Sequence, residues 1–142
     1  MNITSVPSYA HRIFGKMPSF HMLGDNGLTL SGVPQFPTLA TGETGVGVYV
    51  NNQTDFSDLV FVTTKGVHVF KNKCWEGVQY SEIAKAETPE NKEKVCGINL
   101  RLLSGKDFWL PITGNKAGRF FDAFEVVRFF DRILSPITPA DR

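Results

Sequence analysis

The sequence predicts a mainly β domain of the α+β class that ends in one α-helix. Over residues 46–112, short segments alternate apolar and polar residues or carry β-branched runs, and polar or glycine turns separate them. Alternation with period two is typical of strands, and turns about every 8–12 residues indicate an antiparallel sandwich or barrel. The segment that follows, residues 118–134, contains five phenylalanines and a helical repeat of apolar residues. One aromatic helix is therefore expected to close a set of antiparallel strands.

Composition restricts the classes of function. The 142 residues, 42% hydrophobic and 12% aromatic, are enough for one domain with a packed core. The formal net charge is +1, from 15 basic and 14 acidic side chains. Domains that bind nucleic acids are usually basic with clustered lysine and arginine, so we expect no nucleic-acid partner.

We also expect a soluble, cytoplasmic protein. The N-terminus lacks the charged region and continuous apolar run of a signal peptide, and no apolar run approaches the ~20 residues of a membrane-spanning helix. The chain has two cysteines, Cys74 and Cys96. Free cysteine behaves as a small hydrophobic residue, so we expect two reduced, partly buried thiols. A disulfide is the alternative if their strands pair.

Residues 1–42 differ from the rest and form a predicted N-terminal arm. Prolines interrupt both helices and ladders, and four of them occur here, at Pro7, Pro18, Pro34 and Pro37. The segment is nevertheless rich in leucine, methionine and phenylalanine, which would not stay together in water. We expect a helical turn near residues 9–16, a short strand at 28–30, and packing on the domain or on a second subunit.

Seven strands are predicted in order. They cover residues 46–50, 59–63, 67–70, 75–80, 81–86, 96–103 and 107–112. The first alternates valine with glycine and tyrosine, which predicts a half-buried strand. Asn72 and the sequence Ser104-Gly105-Lys106 mark two of the turns. Pro111 lacks an amide hydrogen, so the seventh strand is expected to have a free edge at that point.

The final helix is predicted to begin near Asn115, a favourable N-cap residue, and to end before Pro136, which cannot continue it. A helical wheel places six residues on one apolar arc: Phe120, Phe124, Val126, Val127, Phe130 and Leu134. Phe121 and Phe129 fall outside this arc, on the same side as Arg128. We therefore expect the side chains of these two phenylalanines to be covered, either by the N-terminal arm or by another protein.

Three phrases in this order resemble bacterial members of the pleckstrin-homology (PH) superfold, including GRAM-like domains. They are LVFVTTKGVHVF at 59–70, VQYSEI at 78–83, and INLRLLSGKDFWLPI at 98–112, and the aromatic helix follows. The resemblance covers residues 43–134 and leaves 135–142 as a tail. It implies a seven-stranded antiparallel barrel or sandwich, with the helix plugging one open end. It also implies binding or scaffolding rather than catalysis.

No residue pattern predicts an enzyme, a cofactor or a metal. The chain lacks the Gx4GK[ST], GxSxG and HExxH motifs, and its histidines, His11, His21 and His68, have no matching ligand spacing. We expect His68 to be solvent-facing or hydrogen-bonded. The phosphoinositide site of PH domains does not carry over, because the corresponding loop, residues 51–58, has two acids and no base.

The predicted function is a non-enzymatic PH-like module that binds a protein partner or self-associates. Its candidate contact residues are Phe121, Phe129 and Arg128 on the helix, and Trp109 and Pro111 on the last strand. Core packing is the alternative role for the tryptophan.

A second function is open, namely binding of a membrane lipid or a small hydrophobic ligand. Lys71, Lys73 and Trp75 carry this alternative, because two bases lie close to a tryptophan in this loop.

Overall fold

The computed structural model describes residues 5–22, 37–51, 57–89, 95–116 and 120–135. The helices in these ranges are α1 (Val6–Phe14) and α2 (Asp122–Leu134). The strands are β1 (Phe20–Met22), β2 (Gly45–Val50), β3 (Leu59–Thr63), β4 (Gly66–Lys71), β5 (Cys74–Gln79), β6 (Ile83–Glu87), β7 (Gly97–Leu102), β8 (Asp107–Pro111), β9 (Asn115–Lys116) and β10 (Phe120–Phe121). A 3-10 helix, Tyr80–Glu82, joins β5 to β6.

The strands form two main antiparallel sheets. One has five strands in the order β1-β2-β3-β4-β5, the other has three in the order β6-β7-β8, and β9 and β10 pair separately. The protein is therefore mainly β, and each of the seven predicted strands overlaps one of β2 to β8. Among the described residues neither sheet closes into a barrel, and β1, β9 and β10 were not predicted. The predicted strand at 28–30 and the tail after Ser135 lie outside the described residues.

The hairpins follow from turn chemistry. Asn72 and Lys73 have φ angles of 54° and 64°, the left-handed values that a two-residue type I′ turn requires at both positions. This turn joins β4 to β5 and pairs Lys71 with Cys74. Gly105 has a φ of 91° in the turn between β7 and β8, a backbone conformation that glycine adopts without steric cost.

An aromatic cluster fills the core beneath the two helices. The ring centroid of Phe129 lies 5.0 Å from that of Phe14 on α1, 5.3 Å from Phe130 and 6.1 Å from Tyr80. Phe129 has no solvent exposure. The helical wheel was therefore wrong to leave Phe129 outside the buried arc, because α1 packs on α2 and widens its buried face.

The C-terminal helix begins later than predicted. Asn115 belongs to β9, and α2 starts at Asp122. A partly buried network fixes this start. The Tyr49 hydroxyl donates to Asp122 Oδ2 at 2.6 Å and accepts from the Gly114 N–H at 2.9 Å, and the Asp122 N–H donates to the Gly114 carbonyl at 3.0 Å. Asn115 was predicted from its capping propensity alone, which these non-local bonds override.

Strand β2 is buried on both faces, so the predicted half-buried pattern was wrong. Val46 and Tyr49 belong to the main core, whereas Val48 and Val50 belong to a second apolar cluster on the opposite face of the sheet. The other members of that cluster are Leu59, Phe61, Leu39, Phe70 and Trp75. The sheet therefore separates two apolar layers.

Candidate functional site: a cleft at the free edge of β8

A cleft of about 380 Å³ opens between β8 and the hairpin of β4 and β5. This volume lies within the range of roughly 300–1,000 Å³ that ligand pockets span. The lining comes entirely from β4, β5, their turn and β8: Val69, Lys71, Asn72, Cys74, Glu76, Asp107, Phe108, Trp109 and Pro111. We name this the β8 cleft. It brings together Trp109 and Pro111, predicted for a protein partner, and Lys71, predicted for the alternative ligand.

Trp109 is the principal aromatic residue of the β8 cleft. It is 42% exposed, which is rare for a tryptophan, and it lies on the face of the sheet away from Leu110, which is buried in the core. Its ring rests on the backbone of β7 at Gly97, where an added Cβ would lie 2.5 Å from Trp109 Cζ2. The absence of a side chain at Gly97 thus gives the indole a flat support and leaves the opposite side of the ring accessible.

Within the residues that the structure describes, no strand pairs with the edge of β8 that faces the cleft. The Ile112 N–H donates to the Cys96 carbonyl at 3.0 Å, and the Leu102 N–H donates to the Lys106 carbonyl at 2.8 Å. Residues 106 and 112 therefore point their polar groups inward to β7 or its continuation. Because these groups alternate along an antiparallel strand, the N–H and C=O groups of Asp107 and Trp109 point outward.

The same edge ends at Pro111. Proline has no N–H to donate, and the outward carbonyl of Pro111 already accepts a hydrogen bond from Asn51 Nδ2 at 2.8 Å. Asn51 also accepts from the Thr113 N–H at 2.8 Å. Strand β8 is the outer strand of its sheet, but the prediction of a free edge at Pro111 itself was wrong, because Pro111 is buried and its carbonyl is bonded to Asn51.

The charges around the β8 cleft nearly cancel. Asp107 accepts from Asn99 Nδ2 at 3.1 Å and from Arg101 Nε at 2.7 Å. The hydrogen bond from Asn99, together with that from Arg101, lowers the pKa of the Asp107 carboxyl. On the opposite wall, Lys71 and Glu76 contribute one charge of each sign and are exposed. The cleft therefore has no net charge that would select an ion.

The residues of the lipid alternative do not form one site. Lys71 and Lys73 border a neighbouring hollow of about 440 Å³ that also contains Asp58. Burial raises the pKa of the Asp58 carboxyl. Trp75 instead packs in the second apolar cluster, with its ring centroid 5.0 Å from that of Phe70.

The helix residues predicted for a partner do not form one exposed apolar patch. Phe129 is buried, and Phe121 is half-buried with its ring centroid 5.9 Å from that of Phe124. Arg128 is exposed and forms an ion pair with Glu125, with Nη1 and Oε2 3.3 Å apart. For Phe129 the cover is α1 of the chain itself.

A second cavity, of about 530 Å³, contains the pair of Glu43 and His68. Glu43 Oε2 accepts from Thr63 Oγ1 at 2.5 Å and lies 3.0 Å from His68 Nε2, and Glu43 Oε1 accepts from the Ala40 N–H at 2.9 Å. Burial raises the pKa of the Glu43 carboxyl, but these hydrogen bonds outweigh burial and leave the pKa below its usual value. The carboxylate therefore attaches the segment before β2 to the sheet, and His68 is the hydrogen-bonded histidine that was predicted.

Sequence reasoning missed Asn51, Glu43 and Glu76. The two side-chain partners of Glu43 are 20 and 25 residues away in the sequence, so no local pattern indicates them. Cys74 and Cys96 are free thiols, and both are exposed, so the prediction of partly buried cysteines was wrong. Cys74 lines the β8 cleft.

Two further features bear on the class of protein. In the described part of the chain, histidine, cysteine and carboxylate side chains do not gather in groups of three or more that would hold a metal ion. Neither α1 nor α2, the helices of the same ranges, has the length and apolar character needed to cross a membrane.

The fold and the cleft define a mainly β protein with an exposed tryptophan beside an open strand edge. Compared with protein-family models, curated proteins and solved structures, the chain matches none of them. Function is therefore inferred from the geometry of the chain itself.

Proposed function

We propose that this chain is a non-enzymatic binding module of PH-like architecture that binds a protein partner in the β8 cleft. The observation that carries the proposal is the position of Trp109, an exposed indole at the mouth of a cleft beside unpaired backbone groups. Tryptophan is enriched among the residues that dominate binding energy at protein interfaces.

Strand order supports the PH-like part of the proposal. Strands β2 to β5 follow one another in the first sheet, β6 to β8 follow one another in the second, and α2 comes after the short pair of β9 and β10. Seven antiparallel strands followed by one helix are what the resemblance implies. Helix α1 and the strands β1, β9 and β10 are additions to it.

The contents of the two cavities support binding rather than catalysis. The carboxylate of Glu43 is hydrogen-bonded to Thr63, His68 and Ala40. These bonds give it a structural role, because they attach the segment before β2 to the sheet. In the β8 cleft the acid Asp107 is held by Asn99 and Arg101. His68 and Glu43 lie within hydrogen-bond reach as a base and an orienting group would, but the hydroxyl beside them, Thr63 Oγ1, is buried and donates to Glu43, so it does not serve them as a nucleophile.

The proposal is tested by selecting a phage-displayed library of random 12-residue peptides against the wild-type chain. Enriched peptides are synthesised with a fluorophore, and their dissociation constants are measured by fluorescence polarisation. Trp109→Ala should weaken binding by roughly 30-fold or more, because truncation of a central tryptophan costs about 2 kcal/mol or more.

Leu103→Ala is the matched control. Leu103 is 72% exposed on the turn after β7 and does not line the β8 cleft, so its truncation also removes an exposed apolar side chain. We expect this variant to bind the peptides as the wild type does. Equal loss of affinity in both variants, or no enriched peptide that depends on Trp109, would contradict the proposal.

The alternatives have their own readouts. Lys71 and Lys73 at the tip of the β4–β5 hairpin favour a lipid surface, which flotation with vesicles containing anionic phospholipid would detect. The near-neutral cleft and the position of Trp75 in a separate cluster make this the second candidate. Self-association is the remaining form of the proposal, and light scattering after size exclusion would report a dimer that Trp109→Ala dissociates.

A further inference from the structure

We infer that the partner of the β8 cleft is a short, extended, uncharged peptide segment that adds to the free edge of β8 as a further strand. This inference rests on the proposed function and specifies its chemistry. The chain would recognise backbone first, through the outward groups of Asp107 and Trp109, and apolar side chains of the peptide second, through the cleft.

The hydrogen-bonding groups on the outward edge of β8 are complementary to the backbone of an extended peptide. Asp107 and Trp109 each turn one N–H and one C=O toward the cleft, and within the described residues none of these groups has a hydrogen-bond partner. Donors and acceptors alternate at the spacing of a strand, which another extended chain reproduces and a compact ligand does not. The lining of the cleft shows that this edge faces it, because β8 contributes to the lining and β7 does not.

The edge also fixes where the added strand must stop. After Trp109 the next outward position is Pro111, which lacks an N–H and whose carbonyl is held by Asn51. At the other end, Lys106 points inward to Leu102 in the turn. The partner therefore pairs with two residues of β8, through two N–H and two C=O groups, and needs only about four to five extended residues.

Charge complementarity selects an uncharged segment. Asp107 is compensated by Arg101 at 2.7 Å, and Lys71 and Glu76 oppose each other on the far wall. A phosphate or a polyanionic headgroup would meet Glu76 and Asp107 without a net positive field. Val69 and Phe108 on one face of the sheet, and the exposed side of Trp109 on the other, instead offer apolar surface to successive aliphatic or aromatic side chains of the added strand.

The test follows backbone amide exchange by NMR in the free chain and with a selected 12-residue peptide. In the free chain, the amides of Asp107 and Trp109 should exchange faster than those of Phe108 and Leu110, which point to β7. With the peptide bound, exchange at residues 107 and 109 should slow by roughly tenfold or more, with no comparable change along β5.

Proline substitution provides an independent measurement. Asp107→Ala removes the carboxylate, and Asp107→Pro removes the carboxylate and the outward N–H. The proline variant should bind the peptide roughly five- to tenfold more weakly than the alanine variant, the net effect of one lost hydrogen bond. Gln79→Pro is the matched control. Gln79 has a φ of −84°, which proline can adopt, and it lies at the end of β5, the outer strand of the five-stranded sheet, outside the cleft. Far-UV circular dichroism checks that the variants fold. If Asp107→Pro does not fold, the amide-exchange measurement alone tests whether the peptide pairs with β8.

The outcomes separate the inference from the proposed function. If no peptide depends on Trp109, both are overturned. If peptides depend on Trp109 but leave exchange at residues 107 and 109 unchanged, or if those amides are already protected in the free chain, strand addition is overturned and the binding function stands. If anionic vesicles bind and peptides do not, the occupant is a lipid surface and the inference is wrong.

Discussion

Replacement of Phe129 by alanine tests whether the N-terminal helix is part of the core. Phe129 has no solvent exposure, and its ring meets Phe14 of α1 edge-on at 5.0 Å between centroids. It also contacts Tyr80 and Phe130, so no single element would close the space that its removal leaves. A cavity is therefore expected rather than a collapse of the site.

The magnitude follows from burial. Phenylalanine-to-alanine substitution in a core lowers the free energy of unfolding by about 3–5 kcal/mol, the sum of lost transfer energy and residual cavity. Phe14→Ala should have an effect of the same size, because Phe14 is 1% exposed. The double variant should lose less than the sum by about 0.5–1.5 kcal/mol, since either single change already abolishes the contact between the two rings.

The assay is urea denaturation followed by far-UV circular dichroism at 25 °C, with the slope of each transition checked for constancy. Leu103→Ala is the control for an exposed apolar side chain and should change the stability by less than about 0.5 kcal/mol. Strict additivity of Phe14→Ala and Phe129→Ala, or a loss below about 1 kcal/mol for Phe129→Ala alone, would refute the packing of α1 on α2.

Two further predictions concern Glu43 and Gly97. The folded-state pKa of Glu43 is below its unfolded value near 4.5, so its carboxylate stabilises the fold above that pH and the contribution disappears as the pH falls through the folded pKa. Thermal melts of wild type and Glu43→Gln should therefore differ at pH 7 and converge below pH 4.5, and a constant difference would contradict the assignment. Gly97→Ala should lower stability by about 1–3 kcal/mol and shift the fluorescence of Trp109, because the new Cβ meets the indole at 2.5 Å and the Leu110 carbonyl at 2.6 Å. Unchanged emission would mean that the indole does not rest on Gly97.

Local patterns were sufficient to predict the seven central strands. The alternation of Ile98 and Leu100 with Asn99 and Arg101 matches the observed burial of β7, because the period of a strand is set by its own backbone. The turns could also be predicted from local sequence, because glycine and asparagine adopt the left-handed backbone conformation found at Gly105 and Asn72 more readily than other residues do.

The parts that were missed depend on residues far apart in the sequence. The start of α2 is fixed by Tyr49 and Gly114, which no helical propensity encodes. The burial of Phe129 depends on Phe14, which is more than one hundred residues away. The β8 cleft was predicted only as an exposed tryptophan near a free edge, because its second wall belongs to β4 and β5.

The aromatic cluster beneath the helices and the β8 cleft lie on different parts of the molecule, although Val69 and Phe108 connect the cleft to the main core. The separation of the two aromatic sites makes the proposed function testable. Phe14, Tyr80 and Phe129 close the protein beneath the helices, and none of them lines the cleft. Trp109 is supported by Gly97 and is not part of either apolar cluster. Truncation of Trp109 should therefore remove binding at little cost in stability, whereas truncation of Phe129 should lower stability and leave the affinity of the folded fraction intact. If either variant lowered both the free energy of unfolding and the peptide affinity of the folded protein, Trp109 and the cleft would instead be part of the core.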